Sequence, residues 1–327
     1  MTRMFGPLQR TFAVALLLAN SAALTSVHAA WPERAVRILA GPAGSSGDAA
    51  VRTLAEALAK RWKQPVIVEN RPGPDHIVTV QGLVEARDGH TLLFAPHSVL
   101  TVNPLLHSYL PYDPVHDVVP VTLVVDDFLS VVVAPSLPID TLADFVAYAR
   151  PRPRELNFYA VPGAPYLAYL ALEKRAGIET TYVPYRNFMG ALPDLSQGRI
   201  QVAVMPLAAV QGSLQAGAVK LLAVTNAQRT PAAPDVPTVA EAGFPEFTFG
   251  GLLGLFGPKE MAAELRERIA SDVRAVLTEA DVKQRLSNLG LLARGTTAAE
   301  FGNIIDEQRA KWAAIAREHD IKPKTGQ

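Results

Sequence analysis

The residues best suited to chemistry form a glycine- and serine-rich turn over residues 40–48. Before it, residues 36–39 have the apolar, β-branched composition of a buried strand, and residues 51–58 repeat apolar side chains at helical spacing. Backbone N–H groups at the start of a helix lack intrahelical partners and lie at the positive end of its dipole. The turn can therefore bind an anion. The alternative is an ordinary turn in which Asp48 or Ser46 caps the helix.

Other site chemistries have little support in the sequence. There is no cysteine, which excludes disulfides, thiol nucleophiles and thiolate metal sites. The seven histidines show no paired spacing with carboxylates, so neither a metal nor a cofactor is expected. A serine hydrolase would need Gly-x-Ser-x-Gly, whereas residues 44–47 have the wrong spacing. An exported α/β enzyme of the acyl hydrolase kind is the alternative to a binding protein.

The elements that position the turn alternate between strand and helix. Strands are predicted over residues 36–39, 66–70, 91–95, 121–125, 129–134, 181–183, 200–204 and 220–225. Helices are predicted over residues 78–86, 166–176, 190–197, 261–277 and 298–319, and Thr141 with Asp144 predicts a capping box. This alternation predicts an α/β fold with parallel-rich sheets flanked by helices.

Two crossings in this pattern predict two lobes. The chain would leave the first lobe through residues 121–133 and return through residues 223–229. Residues 30–124 and 226–327 would then form lobe 1, which also carries the C-terminal helices, and residues 125–225 would form an inserted lobe 2. A ligand would bind in the cleft between the lobes, at the ends of the strands.

The N-terminus has the pattern of a secretory signal peptide. Arg3 and Arg10 precede a mostly apolar stretch over residues 11–24, and small residues allow cleavage near Ala29. The apolar run is too short for a membrane anchor. We therefore expect residues 1–29 to be removed and the mature protein to lie in the periplasm.

Charge argues against large anionic partners. The chain has 31 basic and 31 acidic residues, and removing residues 1–29 with their two arginines leaves a net charge of −2. No basic excess remains for nucleic acid or a membrane surface. We expect a monomer, which suits a protein that closes about a hinge.

Fragments spread over the mature chain carry a family resemblance. They lie at residues 31–34, 68–73, 88–93, 110–114, 120–124, 183–185, 222–225 and 234–243. In order and spacing they resemble the Bug family, the extracytoplasmic substrate-binding receptors of tripartite tricarboxylate transporters. The resemblance implies a two-lobed periplasmic binding-protein fold, type II-like, that closes on a small organic acid. It also implies delivery to membrane permease subunits, and no catalysis.

The family holds its ligand largely through backbone N–H groups and water from two glycine-rich loops, and the turn at residues 40–48 matches the first. Pro42, Ala43, Gly44 and Asp48 follow the family pattern, while Ser45 departs from it. The resemblance predicts ligand contacts at Pro42, Ala43, Gly44, Ser45, Ser46 and Asp48.

The second family loop is altered. Residues 74–77 replace a glycine-rich stretch, which puts Asp75 and His76 near the expected carboxylate site. Asp75 would repel an anion unless His76 or another cation offsets its charge. The alternative is a solvated turn that points away.

Further contacts are predicted at His97, Ser98, Gly163, Tyr185 and Met205. For His97 and Ser98 the alternative is a strand-end cap, and for Tyr185 it is packing. Met205 aligns with an aspartate of the family. Because these changes replace polar contacts, we expect a monocarboxylate with an apolar or aromatic body, or another divergent ligand. The receptor could serve uptake, or could present its ligand to a sensor kinase.

Overall fold

The computed structural model describes residues 31–161, 163–185, 188–230 and 232–323. It divides into two compact units, Met1–Arg34 and Ala35–Gln327, and the fold below belongs to the second unit. The predicted signal peptide at residues 1–29 lies outside the described residues. Within the described part of the chain, no helix is long and apolar enough to cross a membrane.

Six strands form the first sheet. They are β1 (Val36–Ala40), β2 (Val66–Asn70), β3 (Thr91–Pro96), β4 (Val118–Asp127), β10 (Gly251–Pro258) and β11 (Leu291–Ala293), in the order β11-β4-β10-β3-β1-β2. β1 is parallel to β2 and β3, whereas β10 is antiparallel to both β3 and β4.

Five strands form the second sheet. They are β5 (Leu129–Val133), β6 (Asn157–Ala160), β7 (Thr181–Tyr182), β8 (Val202–Pro206) and β9 (Lys220–Val224), in the order β7-β6-β8-β5-β9. β6 is parallel to β7 and β8, and β5 is antiparallel to β8 and β9.

Helices flank these sheets. They are α1 (Ser46–Trp62), α2 (Ile77–Glu85), α3 (Ser98–Thr101), α4 (Asn103–Leu106), α5 (Leu142–Ala149), α6 (Ala164–Ala176), α7 (Phe188–Ser196), α8 (Leu207–Gln215), α9 (Ala263–Leu277), α10 (Ala280–Asn288) and α11 (Ala298–Glu318). The predicted α/β class is confirmed, and so is the capping box of Thr141 with Asp144 at the start of α5.

The sheets are mixed, which corrects the expectation of parallel-rich sheets. The main cause is β10, a strand absent from the predicted elements that lies between β3 and β4 and runs antiparallel to both. Three glycines interrupt its apolar run at Gly251, Gly254 and Gly257, so the segment lacks the usual composition of a strand.

Each sheet has its own buried core. Leu39, Leu93 and Phe256 belong to the core cluster of the first sheet. The second sheet carries one cluster around Phe158 and Tyr169 and another that contains Met205. Two separate cores allow two bodies to move about a hinge.

The two sheets are joined where two chain crossings meet. Phe128 alone separates β4 from β5, and the returning chain passes through Thr225 and Asn226. The N–H of Thr225 donates to the Leu129 carbonyl at 3.0 Å, and the N–H of Leu129 donates to Asn226 Oδ1 at 3.2 Å. Asn226 Nδ2 also donates to the Asp127 carbonyl at 3.3 Å. These hydrogen bonds hold the two crossings side by side.

The final helix packs on both cores. Phe301 and Ile305 of α11 lie in the core of the first sheet, whereas Trp312 lies in a core of the second sheet. This differs from the expectation that the C-terminal helices pack on one lobe. A helix of 21 residues is about 30 Å long, enough to reach from one core to the other.

Candidate functional site

A cavity of about 320 Å³ lies between the loops of the two sheets. Nine of the thirteen predicted site residues line it: Pro42, Ala43, Gly44, Ser45, Ser46, Asp75, His76, His97 and Ser98. Loops of the second sheet complete the wall, mainly with apolar side chains. The first and second predicted loops therefore meet at one cavity.

The turn between β1 and α1 offers unpaired backbone donors to this cavity. Ser45 caps α1, since its Oγ accepts the N–H of Asp48 at 3.1 Å and donates to the Pro42 carbonyl at 2.9 Å. The cap is thus Ser45, rather than Asp48 or Ser46. The N–H groups of Ser46 and Gly47 have no hydrogen-bond partner in the described part of the chain. They can receive an anion at the positive end of the helix dipole.

Asp48 supports this turn from behind and does not line the cavity. Its carboxylate accepts the Gly44 N–H at 3.0 Å and the Asn70 side-chain amide at 2.8 Å, and it pairs with Arg52 at 3.1 Å. Burial raises the pKa of Asp48, but these hydrogen bonds outweigh burial and lower it below its ordinary value. Asp48 is therefore a positioning residue for the loop.

The altered second loop also faces the cavity. Asp75 and His76 both adopt left-handed backbone conformations, at φ 51° and 58°. Asp75 Oδ2 lies 2.8 Å from His107 Nε2, and the Asn103 side chain donates to the Asp75 carbonyl at 2.9 Å. His107, on the chain after α4, is thus the partner of the Asp75 carboxylate. The predicted alternative of a solvated turn does not describe this loop.

His76 cannot offset the charge of Asp75. Burial lowers the pKa of His76 to about 4, so its imidazole is neutral at physiological pH. Its Nδ1 is enclosed and has no hydrogen-bond partner among the described residues. The ring lies against Gly41, where an added Cβ would be only 2.3 Å from His76 Cε1.

His97 and Ser98 line the cavity at the end of β3. His97 is buried, its Nδ1 lies 3.0 Å from Thr101 Oγ1, and its backbone N–H donates to the Leu252 carbonyl at 2.9 Å. Burial lowers the pKa of His97 to about 4, although a hydrogen bond to the Gly250 backbone raises this pKa in part. His97 therefore contributes a neutral ring.

The other predicted residues of the second sheet do not line the cavity. Gly163 stands just behind the wall, with φ at +88°, and an added Cβ would lie 3.4 Å from Ser98 Oγ. The hydroxyl of Tyr185 hydrogen-bonds to Asp194. Met205 is fully buried in a core cluster because alternate residues of a strand face opposite sides. Its neighbour Pro206 faces the cavity instead.

The second-sheet wall is mainly apolar, although Tyr159 of β6 also lines it. It includes Leu129, Val161, Pro165, Phe188 and Met189. The β10 strand adds Leu252 and Leu253 from the other side. Such a surface suits the hydrocarbon body of a ligand better than a second charged group.

Asp127 is a cavity residue that the sequence reasoning missed. It is the last residue of β4, and Ser46 Oγ donates to its Oδ2 at 3.2 Å. Burial raises the pKa of Asp127 to about 7; the Ser46 hydrogen bond lowers it and the Asp126 carboxyl raises it. The sequence did contain an indication of this role. Two adjacent aspartates lie between two β-branched strands at a predicted crossing, where carboxylates are not needed for packing.

Metal binding has no support in the described residues, where no group of three His, Asp or Glu side chains could hold an ion. The cavity can instead present backbone N–H groups, hydroxyls and neutral imidazoles to a small ligand. In the described part of the chain the hydroxyl of Ser45 donates to the Pro42 carbonyl and that of Ser46 to the Asp127 carboxyl, and neither serine hydrogen-bonds to a histidine.

Comparison with known proteins agrees with this geometry. Residues 50–321 match the model of the tripartite tricarboxylate transporter family receptor. A UPF0065 protein of Bordetella bronchiseptica is 30% identical over 317 residues, covering 94% of this chain and 93% of that protein.

Two solved structures share the fold. Rpa4515 of R. palustris with adipate has a TM-score of 0.82 at 28% identity, covering 90% of this chain and 100% of that one. MatC of Rhodopseudomonas palustris with bound malate has a TM-score of 0.78 at 26% identity, covering 87% and 99%. The family predicted from the sequence fragments is confirmed: the chain belongs to the tripartite tricarboxylate transporter family of receptors.

Proposed function

We propose that this protein is a periplasmic receptor that closes two lobes on a small organic carboxylate and delivers it to the permease subunits of a tripartite transporter. The observation that carries the proposal is the pair of loops at residues 42–47 and 73–76, which face one cavity. The first loop can offer a carboxylate the N–H groups of Ser46 and Gly47, which have no partner within residues 31–161, 163–185, 188–230 and 232–323.

We further propose the lobe boundaries and the signal-peptide cleavage that the sequence predicts. Residues 30–124 and 226–327 would form lobe 1, and residues 125–225 lobe 2. The adjacent crossings at Phe128 and Asn226 support a hinge there. Cleavage near Ala29 would release the mature protein as a monomer.

The ligand class follows from the wall of the cavity. Adipate and malate are bound by two relatives, which supports a carboxylate ligand here. In this chain Leu129, Phe188 and Leu253 surround the space beyond the first loop, and two carboxyls, Asp75 and Asp127, also line the wall. Apolar contact stabilises a hydrocarbon body, whereas a second ligand carboxylate would meet the carboxylate of Asp75. We therefore propose a monocarboxylate with an apolar or aromatic body.

Thermal-shift measurements with five acids test both the receptor function and the proposed ligand class. Hexanoate and phenylacetate are expected to raise the melting temperature more than adipate, malate or citrate do, because ligand binding stabilises the folded state. A rise with citrate and none with the monocarboxylates would contradict the ligand class. No rise with any of the five acids would contradict the receptor function, and small-angle scattering should show compaction with the acids that bind.

A receptor fits the structure better than an acyl hydrolase. A hydrolase needs a serine activated by a base, yet Ser45 donates to a backbone carbonyl and Ser46 donates to the Asp127 carboxyl. Ester hydrolysis that disappears in Ser46→Ala would contradict this assignment.

A further inference from the structure

Asp127 ends β4 at the base of the cavity, one residue before the chain crosses to the second sheet. Its side chain is buried, with 6% of the residue exposed. Gly251 of β10 is its partner in register, and an added Cβ there would lie 2.8 Å from Asp127 Cβ. The glycine therefore leaves room for the aspartate in the wall of the cavity.

The two oxygens of Asp127 have different surroundings. Oδ2 accepts the hydroxyl of Ser46 at 3.2 Å. Oδ1 is buried and has no hydrogen-bond partner in the described part of the chain. A buried carboxylate with one hydrogen bond is costly, and a protonated carboxyl in the same place needs an acceptor for its O–H. Oδ1 thus lacks a partner in either protonation state. Three other polar atoms of cavity-lining residues also lack one in the described part of the chain: Asp75 Oδ1, His76 Nδ1 and the Tyr159 hydroxyl.

Ser46 links this carboxyl to the anion-binding start of α1. The hydroxyl of Ser46 contacts Asp127, and both Ser46 and Gly47, whose N–H groups have no partner among the described residues, line the cavity. A carboxylate held by those N–H groups would lie near Asp127. Two ionised carboxylates repel each other, whereas a carboxylic acid donates a strong hydrogen bond to a carboxylate.

We propose, resting on the proposed carboxylate receptor, that Asp127 is a ligand-contacting residue whose Oδ1 carries a proton and donates it in a hydrogen bond to the ligand carboxylate. The proton comes from solvent, and no other bond is made or broken. Binding of a carboxylate is therefore accompanied by uptake of up to one proton. A singly charged ligand anion and the proton that is taken up with it together bring no net charge into the site.

Other ionisable groups near Asp127 are already engaged or neutral. The adjacent Asp126 accepts from Asn226 at 3.1 Å and lies 3.6 Å from Arg294, the residue after β11. On α1, Asp48 pairs with Arg52.

In the cavity wall, Asp75 pairs with His107. Burial lowers the pKa of His76 to about 4, and burial together with Lys311 lowers that of His97 to about 4 against a hydrogen bond to the Gly250 backbone. Burial raises the pKa of Asp127 to about 7, so Asp127 can change protonation near neutral pH.

Calorimetry of the mature protein with hexanoate, phenylacetate and adipate tests the inference. Titrations at pH 8 in phosphate and in Tris, which differ in ionisation enthalpy, give the number of protons taken up. We expect uptake approaching one proton, and an affinity that falls up to about tenfold for each pH unit above 8. Binding of any of these acids without proton uptake overturns the inference and leaves the receptor function standing. Absence of binding by all three overturns both.

Two amide variants assign the proton. Asp127→Asn can still donate a hydrogen bond but cannot titrate, so its affinity should become independent of pH and its proton uptake should vanish. Asp126→Asn is the matched control, because Asp126 does not line the cavity, and it should retain proton uptake. Proton uptake that persists in Asp127→Asn overturns the assignment. A second outcome would also overturn the assignment: Asp127→Asn loses affinity and the wild type binds most tightly at high pH. An ionised Asp127 would then be pairing with a ligand cation. If Asp127→Asn does not fold, the pH dependence of ligand affinity in the wild type and in Asp126→Asn still tests the inference.

Discussion

The imidazole of His76 occupies the space that a side chain at residue 41 would need, since a Cβ on Gly41 would lie 2.3 Å from His76 Cε1. The two loops around the cavity are therefore fitted to each other: the first loop has no side chain at the point where the second loop places a ring.

Gly41→Ala tests this fit. The added methyl group must displace the buried ring of His76, and overpacking of this kind costs about 1–3 kcal/mol of unfolding free energy. Urea unfolding of Gly41→Ala, His76→Ala and the double variant gives the coupling between the two positions. We expect the double variant to be more stable than the sum of the single effects predicts. Additive effects would show that the ring moves away without cost.

Asp48→Asn tests the support of the first loop. The amide cannot accept all the hydrogen bonds that Gly44, Asn70 and Arg52 make with the carboxylate. We expect a loss of about 1–3 kcal/mol of unfolding free energy at pH 7, measured by urea unfolding.

The pKa of Asp48 is lowered in the folded state, so its contribution to stability is present at neutral pH and disappears as the pH falls below 3.8. The difference between variant and wild type should therefore narrow in acid. Glu56→Gln, which changes exposed ion pairs with Lys60 on the same helix and with Arg285 of α10, is the control and should have little effect. A pH-independent loss in Asp48→Asn would argue against the ion pair.

Asp127→Asn should stabilise the unliganded protein above neutral pH. Because the pKa of Asp127 is raised to about 7 in the folded state, folding disfavours its ionised form. The penalty is absent below pH 3.8, grows as the pH rises toward 7, and is then constant. The variant removes it, so unfolding should cost up to about 4 kcal/mol more than in the wild type at pH 8.

At pH 4 the same variant and the wild type should unfold at nearly the same urea concentration. A variant less stable than the wild type at pH 8 would mean that the ionised carboxylate has a partner in the folded protein.

Phe188→Ala tests the apolar wall. The ring lies in the cavity wall at the start of α7, and removing it takes away apolar contact with the body of a ligand. We expect the affinity for phenylacetate to fall about tenfold, a loss of about 1.4 kcal/mol. Tyr109→Ala, which removes an aromatic ring that is 79% exposed, is the control. Equal affinity in Phe188→Ala and wild type would place the ligand body elsewhere.

Much of the fold could be predicted from local patterns. Strand β2 matches its prediction at both ends, and α11 matches its own within one residue. Strand β10 could not be found in this way, because its glycines serve contacts with distant residues. At Gly254, for example, an added Cβ would lie 2.3 Å from the Phe301 ring of α11. Such a requirement is visible only after the chain has folded.

The sequence by itself determined the class of protein and the position of the first loop. The strand, turn and helix of the first loop are local patterns, and each family fragment is a short continuous stretch of sequence. Only the tertiary structure decided which groups meet at the cavity. It paired Asp75 with His107, and it placed Asp127 beside Ser46, 81 residues away in sequence. The protonation of a buried carboxyl depends on its surroundings in space, and those surroundings come from distant parts of the chain.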